Sequence, residues 1–328
     1  VTAPRFDSPY HAPVLVAEVL DALTGSRRIL DGTLGGGGHS LALLETGATV
    51  TALDRDPEAI ASARVRLAKY ELARRFHARR GNFSDIESLP TLAGLTFDGV
   101  LLDLGLSSHQ VDDASRGFSF REGAPLDMRM GGQAEHGEDR GSAADFLNTA
   151  HELELMRIFR EYGDEQKAGR LAREIVRRRG NRAFATSDDL VGAIRAVLGP
   201  RSGPPDFARI FQAVRIAVND ELGALARALP ALRDRLEPGG VFAVIAYHSG
   251  EDRLVKQAFR EWSLRCVCPP KQPICTCRDH ALGALVYKKA VTAAPDEMAR
   301  NPRSRSARLR AWRAAAAPVP AAGRAAEA

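Results

Sequence analysis

Four strand-like runs separated by helical patterns constrain this chain more than any other feature. "RRILDG", "ATVTALDRD", "RFHARRGNFS" and "FDGVLLDLG" all fall within the first 105 residues, and the last places Val100, Leu101 and Leu102 side by side. A strand with one wet face alternates apolar and polar residues; a strand covered on both faces does not. The segments between the runs carry helical patterns. "HSLALLETG" ends at Gly47, and "DPEAIASARVRLAKY" opens with Asp56 as N-cap and Pro57 at the first helical position. Strands alternating with helices dictate an α/β fold, a parallel sheet covered on both faces.

The pattern stops after the fourth strand. Residues 107–132 are rich in Ser, Gly, Asp, Arg, Phe and Met without periodicity, and segments that long are functional or disordered. "SAADFLNTAHELELMRIFREYG", "DEQKAGRLAREIVRRRG" and "TSDDLVGAIRAVLG" then read as helices with no strand among them. An inserted helical subdomain over residues 113–212 is predicted. The sheet resumes with the helix "NDELGALARALPALRDRL", the turn "EPGG", the strand "VFAVIAYHS", a helix from Ser249 and an edge strand in "ALVYKK". The α/β domain is therefore expected to be discontinuous, residues 1–112 and 213–299. Residues 300–328 read as a tail, basic at first and then rich in Ala and Pro.

Six arginines and no acid lie between Arg300 and Arg313. The net charge of the chain is +5, so the remainder sums to about −1 (5 minus 6). A concentrated basic segment of this kind suits a polyanionic partner. A second basic stripe recurs at helical spacing through Lys167, Arg170, Arg173 and Arg177, extended by Arg178, Arg179 and Arg182. The ordinary reading of such a stripe is a solvated face; beside a nucleic-acid site it is a phosphate contact. No apolar run approaches membrane-spanning length, and all four cysteines fall within twelve residues, unlike a secreted disulfide framework. A soluble, cytoplasmic protein is expected.

"LDGTLGGGGHSLALL" holds four consecutive glycines between the first strand and its helix. Ordering glycine is costly, and such a turn brings bare backbone close to a ligand. A P-loop is excluded, because no Lys follows the glycines. A dinucleotide fingerprint finds Gly35 and Gly37 but Ser40 in its third position. The remaining pattern, Asp31 followed by Gly35-x-Gly37, is the form used by S-adenosylmethionine (SAM) enzymes. Asp54 ends the second strand nineteen positions after Gly35, where an acid can accept bonds from both ribose hydroxyls. Phe83 follows the third strand and Asp103 ends the fourth. In an open α/β sheet these carboxyl ends face one crevice, so Gly37, Asp54, Phe83 and Asp103 should surround a single ligand.

With "HAPVLVAEVL", "DGTLGGGGHS", "ALDRDPEAI", "LLDLGLSSHQVDDASRGFSF", "PLDMRM", "FQAVRIAVNDEL", "LEPGG", "HSGEDRLVK" and "NPRSRSARLR" in view, the chain resembles the ribosomal RNA small-subunit methyltransferase H (MraW) family. The matching pieces run from about residue 11 to 312. The resemblance implies a Rossmann-like class I SAM-dependent methyltransferase sheet with a helical insert. It implies methylation of the N4 amine of a cytosine in the decoding region of 16S ribosomal RNA, with the small-subunit RNA or the assembled subunit as partner. It also implies SAM contacts at Gly37, Gly38, His39, Asp54, Phe83, Asp103 and Gln110. Two features depart from the family pattern: Gly250 stands where an apolar residue is usual, and the segment "CVCPPKQPICTC" is shared by only some members.

The N4 amine of cytosine is a poor nucleophile, because its lone pair is delocalised into the ring. Acceptors beside its N–H groups would localise that pair and take a proton. Asp103, Ser107 and Ser108 form the best-placed cluster, and His248 closes the next strand at the same edge, where it either approaches the base or bonds a backbone group. Ser249 with Asp252 also reads as a capping pair. Phe118 or Phe120 could stack on the target base, although loop phenylalanines more often anchor to a core. The absence of the Pro-Pro-aromatic motif after Asp103 weighs against a DNA amino-methyltransferase. A non-catalytic SAM-binding ribosome-assembly factor is the alternative from another class. Cys266, Cys268, Cys275 and Cys277 form two C-x-C pairs that could hold one zinc ion; otherwise they are reduced turns pinned by Pro269 and Pro270.

Overall fold

A computed structural model describes residues 3–8, 10–132, 141–269, 272, 274, 276–278 and 280–316. Seven strands form one sheet: β1 Arg28–Asp31, β2 Thr49–Asp54, β3 Phe76–Arg80, β4 Phe97–Asp103, β5 Leu236–Ala246, β6 Gly283–Leu285 and β7 Arg308–Ala314. Their order is β3-β2-β1-β4-β5-β7-β6. The first five in that order run parallel, and β7 lies antiparallel between β5 and β6. The strand order reverses between β1 and β4, so a crevice opens beyond their carboxyl ends, at Asp31 and Asp103.

Both faces of the sheet are covered. Along β5, Val241, Ala243 and Ile245 join one apolar cluster, whereas Phe242, Val244 and Ala246 join the other. The same division holds in β7, where Leu309 and Ala311 face one cluster and Trp312 the other. All three are almost completely buried. The basic segment expected to be a tail therefore enters the sheet, between β5 and the edge strand β6. Its arginines alternate with these apolar residues, which hides a strand behind a charge pattern. Residues 317–328 of the expected tail lie outside the described residues. The edge strand expected in "ALVYKK" is the shorter β6.

The inserted helical subdomain builds its own core. Helices Ala143–Thr149, Glu152–Glu161, Ala168–Arg179, Ser187–Leu198 and Pro204–Asn219 pack around Leu155, Phe159, Leu171, Ile175, Ile194 and Phe211. Ser142 with Asp145, and Thr186 with Asp189, cap two of these helices reciprocally. The helix Pro204–Asn219 runs straight through position 212, where the sequence reading placed a boundary, and its Val214 and Val218 belong to the helical core.

The aperiodic segment after β4 is tied down by backbone contacts. Gly117 has φ +70°, and a Cβ there would lie 2.2 Å from the Pro125 carbonyl oxygen. Only glycine allows "RGFSF" to press against "PLDMRM" in this way. The Met128 amide donates to the Arg116 carbonyl (3.0 Å). Asn219, almost fully buried, holds the same segment from the far side: its Nδ2 donates to the Met128 carbonyl (2.7 Å), and its Oδ1 accepts from the Met130 amide (2.9 Å).

Candidate active site

A cleft opens at the carboxyl ends of β1 to β5. Gly38, His39, Asp54, Phe83, Asp103, Ser107 and Gln110 all line it. Gly37, Ser108 and His248 are not among its lining residues. Gly37 has φ +72° at the N-cap of the helix Gly38–Glu45, and a Cβ there would press on Leu67 and Ala63. This glycine thus permits the turn and the close packing of the next helix.

At the tip of β2, the Asp54 carboxylate accepts from the Gly35 amide (2.8 Å) and the Asp56 amide (2.9 Å). These bonds fix the glycine turn and leave further lone pairs for the cleft. Burial pushes the Asp54 carboxyl up to about 6, against the lowering effect of the two amides.

Asp103 sits at the centre of a buried proton network. Its Oδ1 accepts from the Tyr247 hydroxyl at 2.8 Å. Its Oδ2 lies 3.4 Å from His39 Nδ1 and 4.0 Å from His11 Nε2. Burial drives the Asp103 carboxyl up to about 7, opposed by the Tyr247 bond. His39 Nε2 bonds the Val14 carbonyl at 2.8 Å, which fixes the proton on that nitrogen and leaves Nδ1 as an acceptor. Burial also lowers the basicity of His39. The Asp103–His39 contact is therefore favourable when Asp103 carries a proton, in keeping with its raised pKa. His11 is pushed down to about 4 by burial and stays neutral, with the Ser108 amide donating to its Nδ1 (3.3 Å).

The other expected residues have distinct placements. Ser107 is the N-cap of the helix Ser108–Asp112, in a reciprocal box with Gln110. Gln110 Nε2 spans Asp56 Oδ2 (3.1 Å) and the Met130 carbonyl (3.2 Å), so its amide braces the wall of the cleft. His248, rather than Ser249, caps the helix Ser249–Trp262, paired with Glu251. Phe118 packs against the helical core, and Phe120 meets Phe207 and Phe211 edge-on at 5.8 and 6.0 Å. Neither lines the cleft.

Several residues of the basic stripe have partners within the fold. Arg177 and Arg178 both bond Glu174, Arg179 donates to the Leu147 and Ala150 carbonyls, and Arg182 lies 3.8 Å from Asp189. Lys167 is exposed and reaches the Val197 carbonyl at 3.5 Å. Arg170 and Arg173 are exposed on the same helix. Of the cysteines, Cys266, Cys268 and Cys277 converge, with sulfurs within 4.8 Å of one another; Cys275 lies outside the described residues.

Sequence reasoning missed the centre of the site's support. Asp56, read only as a helix cap, is 1% exposed. It accepts from the Glu58 amide, Gln110 and Arg116 Nη1 (3.0 Å). Tyr10, Tyr247, Glu221 and Glu251 also line the cleft. The adjacency of Asp54 and Asp56 and the lone Arg of "RGFSF" were the only available signals. Which acid meets which base is set by the fold.

Carboxylates dominate the cleft: Asp54, Asp103, Glu221 and Glu251 line it, against Arg55. That lining repels a pyrophosphate and suits a ligand with positive charge. A doubly wound sheet with an acid-rimmed glycine turn and a buried acid closing the fourth strand defines a methyltransferase of the class I, Rossmann-like type. The chain belongs to the MraW methylase family, whose model matches residues 8–315. It is 61% identical over 306 residues to the ribosomal RNA small subunit methyltransferase H of Gemmatimonas aurantiaca, covering 93% of this chain and 96% of that protein. The protein of the same name from Heliobacterium mobile is 46% identical over 311 residues, covering 92% and 97%. That from Myxococcus xanthus is 47% identical over 308 residues, covering 92% and 96%. Among the described residues, no helix is long and apolar enough to cross a membrane.

Proposed function

We propose that this chain uses SAM to methylate the N4 amine of a cytosine in the decoding region of small-subunit ribosomal RNA, acting in the cytoplasm. Family membership supports RNA methylation, and the residues of the cleft fit the donor. Asp54 suits ribose hydroxyls, Phe83 offers an aromatic wall for a purine, and the acidic lining suits a molecule bearing ammonium and sulfonium charges. SAM, when bound, supplies a methyl group on positively charged sulfur.

The chain's residues hold the amine in line, draw on its N–H and exclude water. Asp103 is the group for the second task. Its carboxyl is poised near neutrality, where a general base works best. An N4 proton transferred to Asp103 Oδ2 meets the acceptor Nδ1 of His39 beyond it. The exposed Arg170 and Arg173 are available for phosphates. Reaching the cleft requires the target base to leave its stack.

The observation that carries the reading is this buried acid at the end of β4, held between Tyr247 and His39 inside the cleft. The test is mapping of N4-methylcytosine in 16S RNA from cells with and without the protein, together with methylation of purified small-subunit RNA and of single-stranded DNA. A single cytosine mark that depends on the protein is expected, lost in Asp103→Asn. Methylation of DNA in preference to RNA, or an unchanged RNA map, would overturn it.

A further inference from the structure

The described residues of the 263–281 excursion, between the helix Ser249–Trp262 and β6, form no helix or strand. Its ends meet, since the Leu282 amide donates to the Trp262 carbonyl at 2.8 Å. Closed loops of this size usually pack on their own side chains. This one does not: none of its described residues is buried, and Leu264, Val267 and Ile274 are exposed apolar side chains. Arg278 anchors one end by donating to the Glu261 and Leu264 carbonyls at the end of the helix. Apolar burial therefore does not hold its described residues in place.

Three cysteines lie among these described residues. Cys266 and Cys268 come from one turn and Cys277 from the returning segment, and their sulfurs lie within 4.8 Å of one another. Sulfurs around one zinc sit about 3.8 Å apart, from a Zn–S bond of about 2.3 Å. Rotations of the side chains would close that gap. The Val267 amide points at Cys277 Sγ, 3.3 Å away, an interaction that strengthens when the sulfur is a thiolate.

We propose that Cys266, Cys268 and Cys277 bind a divalent zinc ion as thiolates, each giving up its proton to solvent, and that the metal clamps the excursion in place of a core. The role is structural. The preceding helix has 14 residues, or about 20 Å of length, and its first turn is the end nearest the cleft, where Glu251 lines the wall. The metal thus sits by the end of this helix that is away from the cleft. A second cluster, Glu221, His248 and Glu251, also has its atoms within 4.8 Å. There, however, Arg215 already neutralises Glu221 through bonds of 2.7 and 2.8 Å.

The test is metal analysis of the whole protein purified under reducing conditions, without chelator or added metal. About one equivalent of zinc is expected in the wild type and almost none in Cys266→Ser or Cys277→Ser. Cobalt(II) exchanged into the wild type should give intense sulfur-to-metal charge-transfer absorption, a readout that does not depend on the variants folding. Zinc retained in both variants would move the metal to the Glu221 cluster and overturn the proposal. So would a metal-free wild type without charge-transfer bands, or intact mass showing these cysteines joined as a disulfide.

Discussion

Replacing Tyr247 by Phe tests the proposed base without touching its carboxylate. The ring is kept, and the hydroxyl that donates to Asp103 Oδ1 at 2.8 Å is lost. That bond favours the ionised acid and opposes burial, which holds the carboxyl at about 7. A hydrogen bond to a charged group contributes about 1.5–3 kcal/mol, and each pKa unit corresponds to about 1.4 kcal/mol. Its loss should therefore raise the Asp103 pKa by roughly 1–2 units. A general base acts only when deprotonated, so the rate climbs with pH through this pKa. At pH 7 the ionised fraction should fall from about a half to between about a tenth and a hundredth, slowing the chemical step roughly 5- to 50-fold. At high pH the two enzymes should converge. Single-turnover methylation of small-subunit RNA at saturating SAM, from pH 6 to about 9.5, reads the inflection directly. A rate lowered equally at every pH, with the inflection unmoved, would mean that Tyr247 only packs the cleft and that Asp103 does not take the proton.

Asp54→Asn keeps the shape and one amide acceptor of the β2 tip, and should weaken SAM binding by about 1.5–3 kcal/mol in calorimetry. Unchanged affinity would remove Asp54 from the cofactor site. Arg116→Met leaves the buried Asp56 without its cation, and denaturant unfolding should show a loss of about 3 kcal/mol or more; a neutral result would mean that Asp56 is satisfied by amides alone. Asp103→Asn should stabilise the ligand-free fold in a pH-dependent way. The folded carboxyl titrates near 7 and the unfolded one at the ordinary 3.8, so below pH 3.8 ionisation gives no difference. Between those values only the unfolded chain has lost the proton, and the wild type loses stability as pH rises, by up to about 4 kcal/mol above pH 7. Unfolding at pH 5 and pH 8 that shows the same advantage for Asn at both would refute a raised native pKa. Ending the chain after Arg300 removes β7 from between β5 and β6, and the product should fail to fold by circular dichroism; a folded product would return this segment to the status of a tail.

The parallel half of the sheet was legible because its signal is local. Consecutive apolar residues, a Pro at a helix start and a glycine turn each act within a few residues. β7 was illegible for a related reason. Arg308, Arg310 and Arg313 flank Leu309, Ala311 and Trp312, and the charges masked a strand whose burial depends on partners about seventy residues earlier in the chain. The guanidinium of Arg310 finds Asp252 in a two-bond pair at 2.7 and 3.0 Å, so that charge is part of the fold. Arg177, Arg178 and Arg179 show the same dependence on partners the local pattern does not reveal: their bonds go to Glu174 and to the end of a neighbouring helix.

The site divides along the same line. Asp54 and Asp103 could be read as strand-tip acids, because in a parallel sheet chain order alone puts those tips at one edge. What gives each acid its chemistry comes from distant parts of the chain. Tyr247 arrives from the end of β5, His39 from the glycine helix and His11 from the N-terminal segment. Asp56, two residues beyond Asp54, receives Arg116 and Gln110 from the segment that leads into the helical insert. Arg116 also donates to the Met130 carbonyl (2.7 Å), while Asn219, at the end of the last insert helix, accepts from the Met130 amide. The wall of the cleft and the helical insert are thus one hydrogen-bonded structure.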